Sequence, residues 1–215
     1  MITDYGNMLS FVKETLCNSG KDKAGQKYQS FRSRFSHTER VWSWCRRLSR
    51  EYSGSVNEYV LFVSAIFHDV GYALSDDEAA LPHAKASAQI FRDYCKTHDV
   101  SFVPIISENI SLHSDKSLLK REDTPIELIL LMEADLLDET GALSILFDCM
   151  TSGECHADSY EAAYEHIVMF SCRNMQAHPM VTPEAIRIWE EKQGLVKLFV
   201  HSLAIDLNMD EDRSP

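Results

Sequence analysis

The chain has 215 residues, 45% of them hydrophobic and 25% charged, with a formal net charge of −12 and a pI near 5.1. That length is enough to bury a sizeable core, in one large domain or two small ones. The acidic balance excludes a nucleic-acid surface as the main partner, but it leaves room for an anionic ligand held beside a bound cation. No stretch approaches the length of a membrane span, and Met1 to Leu16 lacks the cationic flank and apolar run of an export signal. Six cysteines (Cys17, Cys45, Cys95, Cys149, Cys155, Cys172) are scattered without a C-x-x-C pair. They are expected as free thiols in a reducing cytoplasm, with a metal pair at Cys149 and Cys155, across a Gly-containing turn, as the alternative.

Apolar residues recur at helical spacing and no run alternates long enough for a strand, so the expected class is all-α. Met8, Leu9, Val12 and Leu16 mark a first short helix, and Asn18 to Lys27 is a polar loop. Ser36-His37-Thr38-Glu39 has the capping-box pattern and predicts a helix opening there, with Val41, Trp44, Cys45, Leu48 and Tyr52 as its stripe. Stepping back four residues from Val41 puts His37 on the inward face, as a core histidine or a ligand. Arg40 lies one turn along, as a first-turn cation or a phosphate contact.

Val60 to Gly71 is apolar on nearly every side and predicts a buried helix ending at His68-Asp69, with Gly71 as its stop. An unpaired carboxylate there would cost on the order of several kcal/mol, so the chain must supply Asp69 with a cation or donors. His98-Asp99 repeats the dipeptide in a polar setting and reads as surface. Ser75-Asp76-Asp77-Glu78 is a polar connection, after which Pro82 suits the first turn of a helix that carries His83 beside its apolar stripe. Lys85 follows on the same helix. A shorter helix from Pro104 to Leu112 is closed by His113 on its inward face, and Lys116, Lys120 and Arg121 follow in a loop.

Pro125 opens an apolar helix that runs into Glu133-Ala134-Asp135-Leu136-Leu137-Asp138-Glu139. Asp135 shares the face of Leu128 and Leu131 and is the acid expected to be buried; Asp138 suits a supporting role and Glu139 faces water. Gly141 marks the end. Two amphipathic helices, from Tyr160 to about Met175 and from Pro183 to about Leu207 despite Gly194, complete the chain, and residues 209–215 form an acidic tail. The simplest organisation is one helical domain over 1–208, with its motif core at about 30–145 and C-terminal helices over 158–207.

The inward and helix-end residues His37, His68, Asp69 and Asp135 stand in an order that resembles the HD superfamily of metal-dependent phosphohydrolases, H…HD…D on a helical bundle. The wording matches as well, with H-T-E-R-V at 37–41, A-I-F-H-D-V-G at 65–71 and E-A-D-L-L-D-E-T-G at 133–141. His83 within P-H-A-K-A-S-A-Q-I-F and His113 within I-S-L-H-S-D look like two further family positions, which gives a likeness to the YpgQ-like branch. That branch often carries Asp-Ala-Asp-Arg-Leu-Asp, where this chain has Glu133 and Leu136 in place of the first Asp and the Arg; the arginine's phosphate contact or supporting ion pair has no matching residue here, while Asp135 is intact.

The resemblance implies a single-domain HD-type helical bundle with His37, His68, Asp69 and Asp135 as metal ligands. Two imidazoles and two carboxylates suit one divalent ion, Mn²⁺ or Mg²⁺ first, with Fe²⁺, Co²⁺, Ni²⁺ or Zn²⁺ as alternatives. Such an ion lowers the pKa of its water and offsets phosphoryl charge. The implied reaction is hydrolysis of a phosphate ester or anhydride, most readily in a nucleotide. His68, Asp69, His83 and His113 would be catalytic, and Arg40, Lys85, His83 and His113 would meet the substrate. A second ion becomes possible if Asp69 bridges. A non-catalytic nucleotide-sensing module and a di-iron oxygenase-type protein are the alternatives; no G-Y-P motif follows to suggest the signalling branch.

Overall fold

The computed structural model describes residues 5–18, 31–74, 82–154, 159–176 and 178–209. The connection expected at Ser75 to Glu78, the loop from 19 to 27, Cys155 and the tail beyond Met209 lie outside them. Every regular element among the described residues is helical. The chain divides into two compact units, 1–135 and 136–215.

The first unit is built around α3 (Glu58–Phe67), in which every residue from Val60 to Phe67 is buried. Asn57 starts this helix by accepting from the Val60 amide, and its own amide donates to Glu127 Oε1 at 2.7 Å. The partners that a helix buried on all sides requires come from four helices, among them the one over Arg34–Glu51 that carries Trp42. Met8, Val12 and Leu16 come from α1 (Tyr5–Asn18), Ala88, Phe91 and Tyr94 from α4 (His83–Tyr94), and Ile106 and Ile110 from α5 (Val103–Leu112). Phe67 meets Phe91 edge-on at 5.1 Å, and Phe62 meets Trp42 the same way at 4.9 Å. Each such pair contributes about 0.5–1.5 kcal/mol beyond its buried area.

Two expectations are corrected in this unit. Helix α2 (Arg34–Glu51) is capped by Ser33, whose hydroxyl accepts from the Ser36 amide at 3.2 Å, so it begins before the Ser36 box. Gly71 is not a left-handed stop. Helix α3 ends at Phe67, His68 keeps helical dihedrals, and Gly71 sits in a 3₁₀ turn over Val70–Ala73. What the turn requires of Gly71 is a missing side chain. A Cβ there would lie 2.3 Å from the His83 carbonyl oxygen and 2.6 Å from the Ser87 nitrogen. The Gly71 amide donates to the buried Ser87 hydroxyl at 2.8 Å, which locks the first turns of α4 against the end of α3.

Helix α6 (Ile126–Leu137) is followed in the second unit by α7 (Ala142–Glu154), which the pattern reading passed over; Gly153 is helical within it. Gly141, at φ +69°, makes the turn between the two helices. The expected helix from Tyr160 is α8 (Tyr160–Ile167), which widens to a π turn over Val168–Cys172 before α9 (Arg173–Gln176). There the Ser171 amide and hydroxyl both donate to the buried carboxylate of Asp148. Helix α10 (Pro183–Asp206) runs through Gly194 as expected and buries Ile188, Trp189, Val196 and Val200. No described helix is long and apolar enough to cross a membrane.

Candidate metal centre

Two histidines use the same device. His68 follows the last residue of α3 and His113 the last residue of α5, where carbonyls have no partner within the helix. His68 Nδ1 lies 2.6 Å from the Ala65 carbonyl oxygen and His113 Nδ1 lies 2.7 Å from that of Ile110. A carbonyl only accepts, so Nδ1 carries the proton in each neutral ring and Nε2 presents a lone pair. One terminal carbonyl of each helix is thereby satisfied, and both lone pairs point inward.

The two Nε2 atoms converge on Asp69. Its Oδ2 lies 3.6 Å from His68 Nε2 and 3.5 Å from His37 Nε2; its Oδ1 lies 3.4 Å from His113 Nε2 and 3.7 Å from His83 Nε2. Asp135 Oδ1 closes the other side, 3.3 Å from His37 Nε2 and 3.9 Å from His68 Nε2, and the Nε2 atoms of His37 and His68 are 3.3 Å apart. Lone pairs of imidazole facing carboxylate oxygens repel unless a cation lies among them. An octahedral ion about 2.1 Å from each ligand would hold neighbouring ligands roughly 3.0 Å apart, close to the spacing here. His37, His68 and Asp135, and likewise His68, Asp69 and His113, each bring three ligand atoms within 4.8 Å of one another and can hold a metal ion. The donor set fits a divalent cation.

Electrostatics prepare the ligands for that role. Burial lowers the pKa of His68 to about 4, outweighing the pull of Asp69, so the ring is neutral near pH 7. His83 is lowered in the same way, by burial first. Burial would raise the Asp135 carboxyl, but the Lys116 ammonium beside it outweighs burial and holds it well below the usual carboxylate range.

The cluster has a floor and a rim. His37, His68, His113 and Asp69 are buried, whereas the side chains of Asp135, His83, Lys116 and Arg34 keep 22%, 29%, 27% and 15% of their surface. This corrects the expectation for the acids of α6, since Glu133 and Asp138 are the buried ones and Asp135 stands at the opening. Lys116 does reach the site. Its ammonium donates to Asp135 Oδ2 at 2.7 Å and to the His113 carbonyl at 2.9 Å, the ion pair that Leu136 does not provide. It fixes which carboxylate oxygen faces the histidines. Lys116→Met is accordingly expected to weaken divalent-metal affinity about 10–100-fold, as loss of an outer partner typically does. Competition against a chelator measures it, and unchanged affinity would reject the role.

Of the other candidates, Lys85 is exposed on α4 two positions from His83, a spacing that turns it to another face, and Arg40 is half-buried on α2. His98 and Asp99 are exposed, with the His98 ring stacked 3.9 Å from that of Tyr94. Pattern reading missed Arg34 and Tyr72. The Arg34 guanidinium lies 3.7 Å from the Tyr72 ring centre and 3.4 Å from Asp69 Oδ2. Its signal was the spacing to His37, three residues on along one helix face.

Comparison with known proteins agrees with this geometry. The profile of the HD domain matches residues 34–140, which include every residue of the cluster. No curated protein sequence matches the chain. Among solved structures, Bacillus subtilis YpgQ in complex with ADP is similar at 16% identity and TM-score 0.63, covering 96% of this chain and 100% of that one. An HD-superfamily hydrolase from Bacillus thuringiensis is similar at 19% identity and TM-score 0.65, over 96% of this chain and 97% of the other. A predicted HD-superfamily hydrolase from an uncultured Thermotogales bacterium aligns at 19% identity and TM-score 0.63, over 94% and 92%. These likenesses carry the fold, and the profile carries the family. With its ordered histidines and aspartates gathered at one point of a helical bundle, the chain belongs to the HD-domain superfamily.

Proposed function

We propose that the chain is a divalent-metal-dependent phosphohydrolase acting on a phosphate ester or anhydride of a nucleotide. The observation that carries this reading is the inward convergence of imidazole lone pairs and two carboxylates below a partly open rim. The complex of YpgQ with ADP supports a nucleotide as the organic part of the substrate.

In this reading His37, His68, Asp69 and Asp135 hold the ion. Mn²⁺ or Mg²⁺ is favoured, and the ion supplies Lewis acidity that offsets phosphoryl charge and acidifies water. The Nδ1 bonds to Ala65 and Ile110 keep the His68 and His113 rings from turning. His83, neutral near pH 7 and standing on the rim, is suited to exchange a proton with attacking water or with the leaving oxygen. His113, from the floor, presents its Nε2 lone pair 3.4 Å from the far oxygen of Asp69, where a shared proton or ion would join the two.

A nucleotide panel, assayed for phosphate and pyrophosphate release with several divalent metals, tests the proposal; no release with any pairing would reject it. Elemental analysis is expected to give close to one ion per chain. His83→Ala and His113→Ala should keep that ion and lose turnover. Two ions in the native protein, falling to one in either variant, would replace the single-ion arrangement with a pair bridged by Asp69. An optical iron signal with oxygen consumption would favour oxygenase chemistry instead.

A further inference from the structure

We propose that a cavity within the second unit, between α7 and the π turn over Val168–Cys172, binds a small flat organic cation of the amidinium or guanidinium class. Asp148 receives its N–H groups, and Phe170 lies against its plane. None of the residues assigned to the metal ion lines this cavity, so the proposal stands apart from the hydrolase reading.

The starting observation is a buried carboxylate with one oxygen left over. Asp148 Oδ2 accepts from both the amide and the hydroxyl of Ser171, the amide at 3.1 Å. Oδ1 accepts no hydrogen bond from any described residue, and His166 Nε2 stands 3.8 Å from it, outside hydrogen-bond range. Lys192 donates to the Thr140 carbonyl oxygen at 3.1 Å and makes no contact with Asp148. The Asp148 side chain keeps 5% of its surface, and charges so deeply buried are normally paired. Burial accordingly pushes the carboxyl up from its ordinary range, and the Ser171 bonds and His166 offset only part of that.

The surroundings of that oxygen define what would pair it. Asp148 lines a cavity of about 210 Å³ together with Glu139, Phe147, Phe170, Ser171 and Asn174. A cavity of roughly 150 Å³ already takes a benzene ring, so this one has room for a ring and a charged head. Two of the lining residues are acids and none is Lys or Arg, which favours a cation over an anion. Phe170 is 45% exposed and sets an aromatic ring at the mouth, where ring faces attract cations. A planar, weakly hydrated head stacks on such a ring, whereas a compact ammonium holds its water more tightly. Asn174, exposed on α9, offers an amide oxygen for a second N–H. The backbone is shaped to the same end. The π turn brings Ser171 onto Oδ2 and leaves Oδ1 free, and single π turns of this kind collect at functional sites.

The test uses the full chain and benzamidinium, with benzamide as the uncharged ring of the same shape. Calorimetry is expected to show benzamidinium bound at least tenfold more tightly than benzamide. Asp148→Asn keeps an oxygen for Ser171 and removes the charge, so it should abolish that preference with the helical circular-dichroism spectrum unchanged. Phe170→Ala should weaken benzamidinium at least threefold. Its ring is exposed, so this variant keeps the fold and decides the matter if Asp148→Asn loses its helical spectrum. No saturable binding of benzamidinium to the wild type, or benzamide bound as tightly, would overturn the proposal. Wild-type affinity in either variant would do the same, because it would trace the binding to the acidic surface at large.

Discussion

Asp69→Ala and Asp135→Ala are each expected to lose bound divalent metal and to lower turnover by at least about 10²–10³-fold, the cost of removing one charge-stabilising group from an active site. Asp69 is the more severe case. Its two oxygens face His37, His68, His83, His113 and Arg34 at 3.4–3.7 Å, so no other side chain replaces it. Asp135 supplies the only other carboxylate oxygen in the ion-binding groups that include His68 among the described residues. The helical circular-dichroism spectrum should survive in both variants, because the core around α3 is built from apolar side chains of α1, α4 and α5. Metal content by elemental analysis and turnover on the best nucleotide are the measurements. Full activity with metal retained in either variant would sink the assignment. A collapsed spectrum would instead make that carboxylate structural.

How much of this was legible in the sequence depends on the element. Helix α3 was readable because a run buried on every side has no polar face to misplace, and its His-Asp end stood out against that background. His37, His68, Asp69 and Asp135 were found at helix ends or on inward faces, and the structure gathers them. Arg34 was missed for a local reason. The Ser36 to Glu39 box suggested a helix starting three residues too late, which left Arg34 outside it, whereas Ser33 is the cap in the structure.

The acids of α6 show a second limit. Periodicity ranks faces only when one face is wet, and from Leu130 to Ala134 every residue of this helix is buried. Sharing a face with Leu128 and Leu131 therefore could not predict that Asp135 stands at the rim while Glu133 is buried. Gly71 marks a third limit. A glycine after a helix suggests a left-handed stop, and only the packed partner reveals that the need is for space.

That need gives the second large effect. Gly71→Ala is expected to destabilise the fold by about 1–3 kcal/mol, the usual cost of overpacking, and to reduce turnover by about 10²-fold while leaving metal bound. The added Cβ would sit 2.3 Å from the His83 carbonyl oxygen, 2.6 Å from the Ser87 nitrogen and 2.8 Å from the Ser87 hydroxyl. Two of these three atoms are backbone and cannot rotate away, so the first turn of α4 must move. His83 is the first residue of that turn, and its Nε2 stands 3.7 Å from Asp69 Oδ1, so the displacement carries it off the rim. His37, His68, Asp69 and Asp135 lie on other elements and keep the ion. Ser87→Ala supplies the comparison. It leaves the buried Gly71 amide without its 2.8 Å acceptor, a loss of about 1–3 kcal/mol, but nothing pushes α4 away. Urea denaturation is expected to rank the two variants together, and turnover is expected to separate them, with Gly71→Ala the lower. A Gly71→Ala protein with native stability and turnover would show that the close approach of α3 and α4 does not position His83.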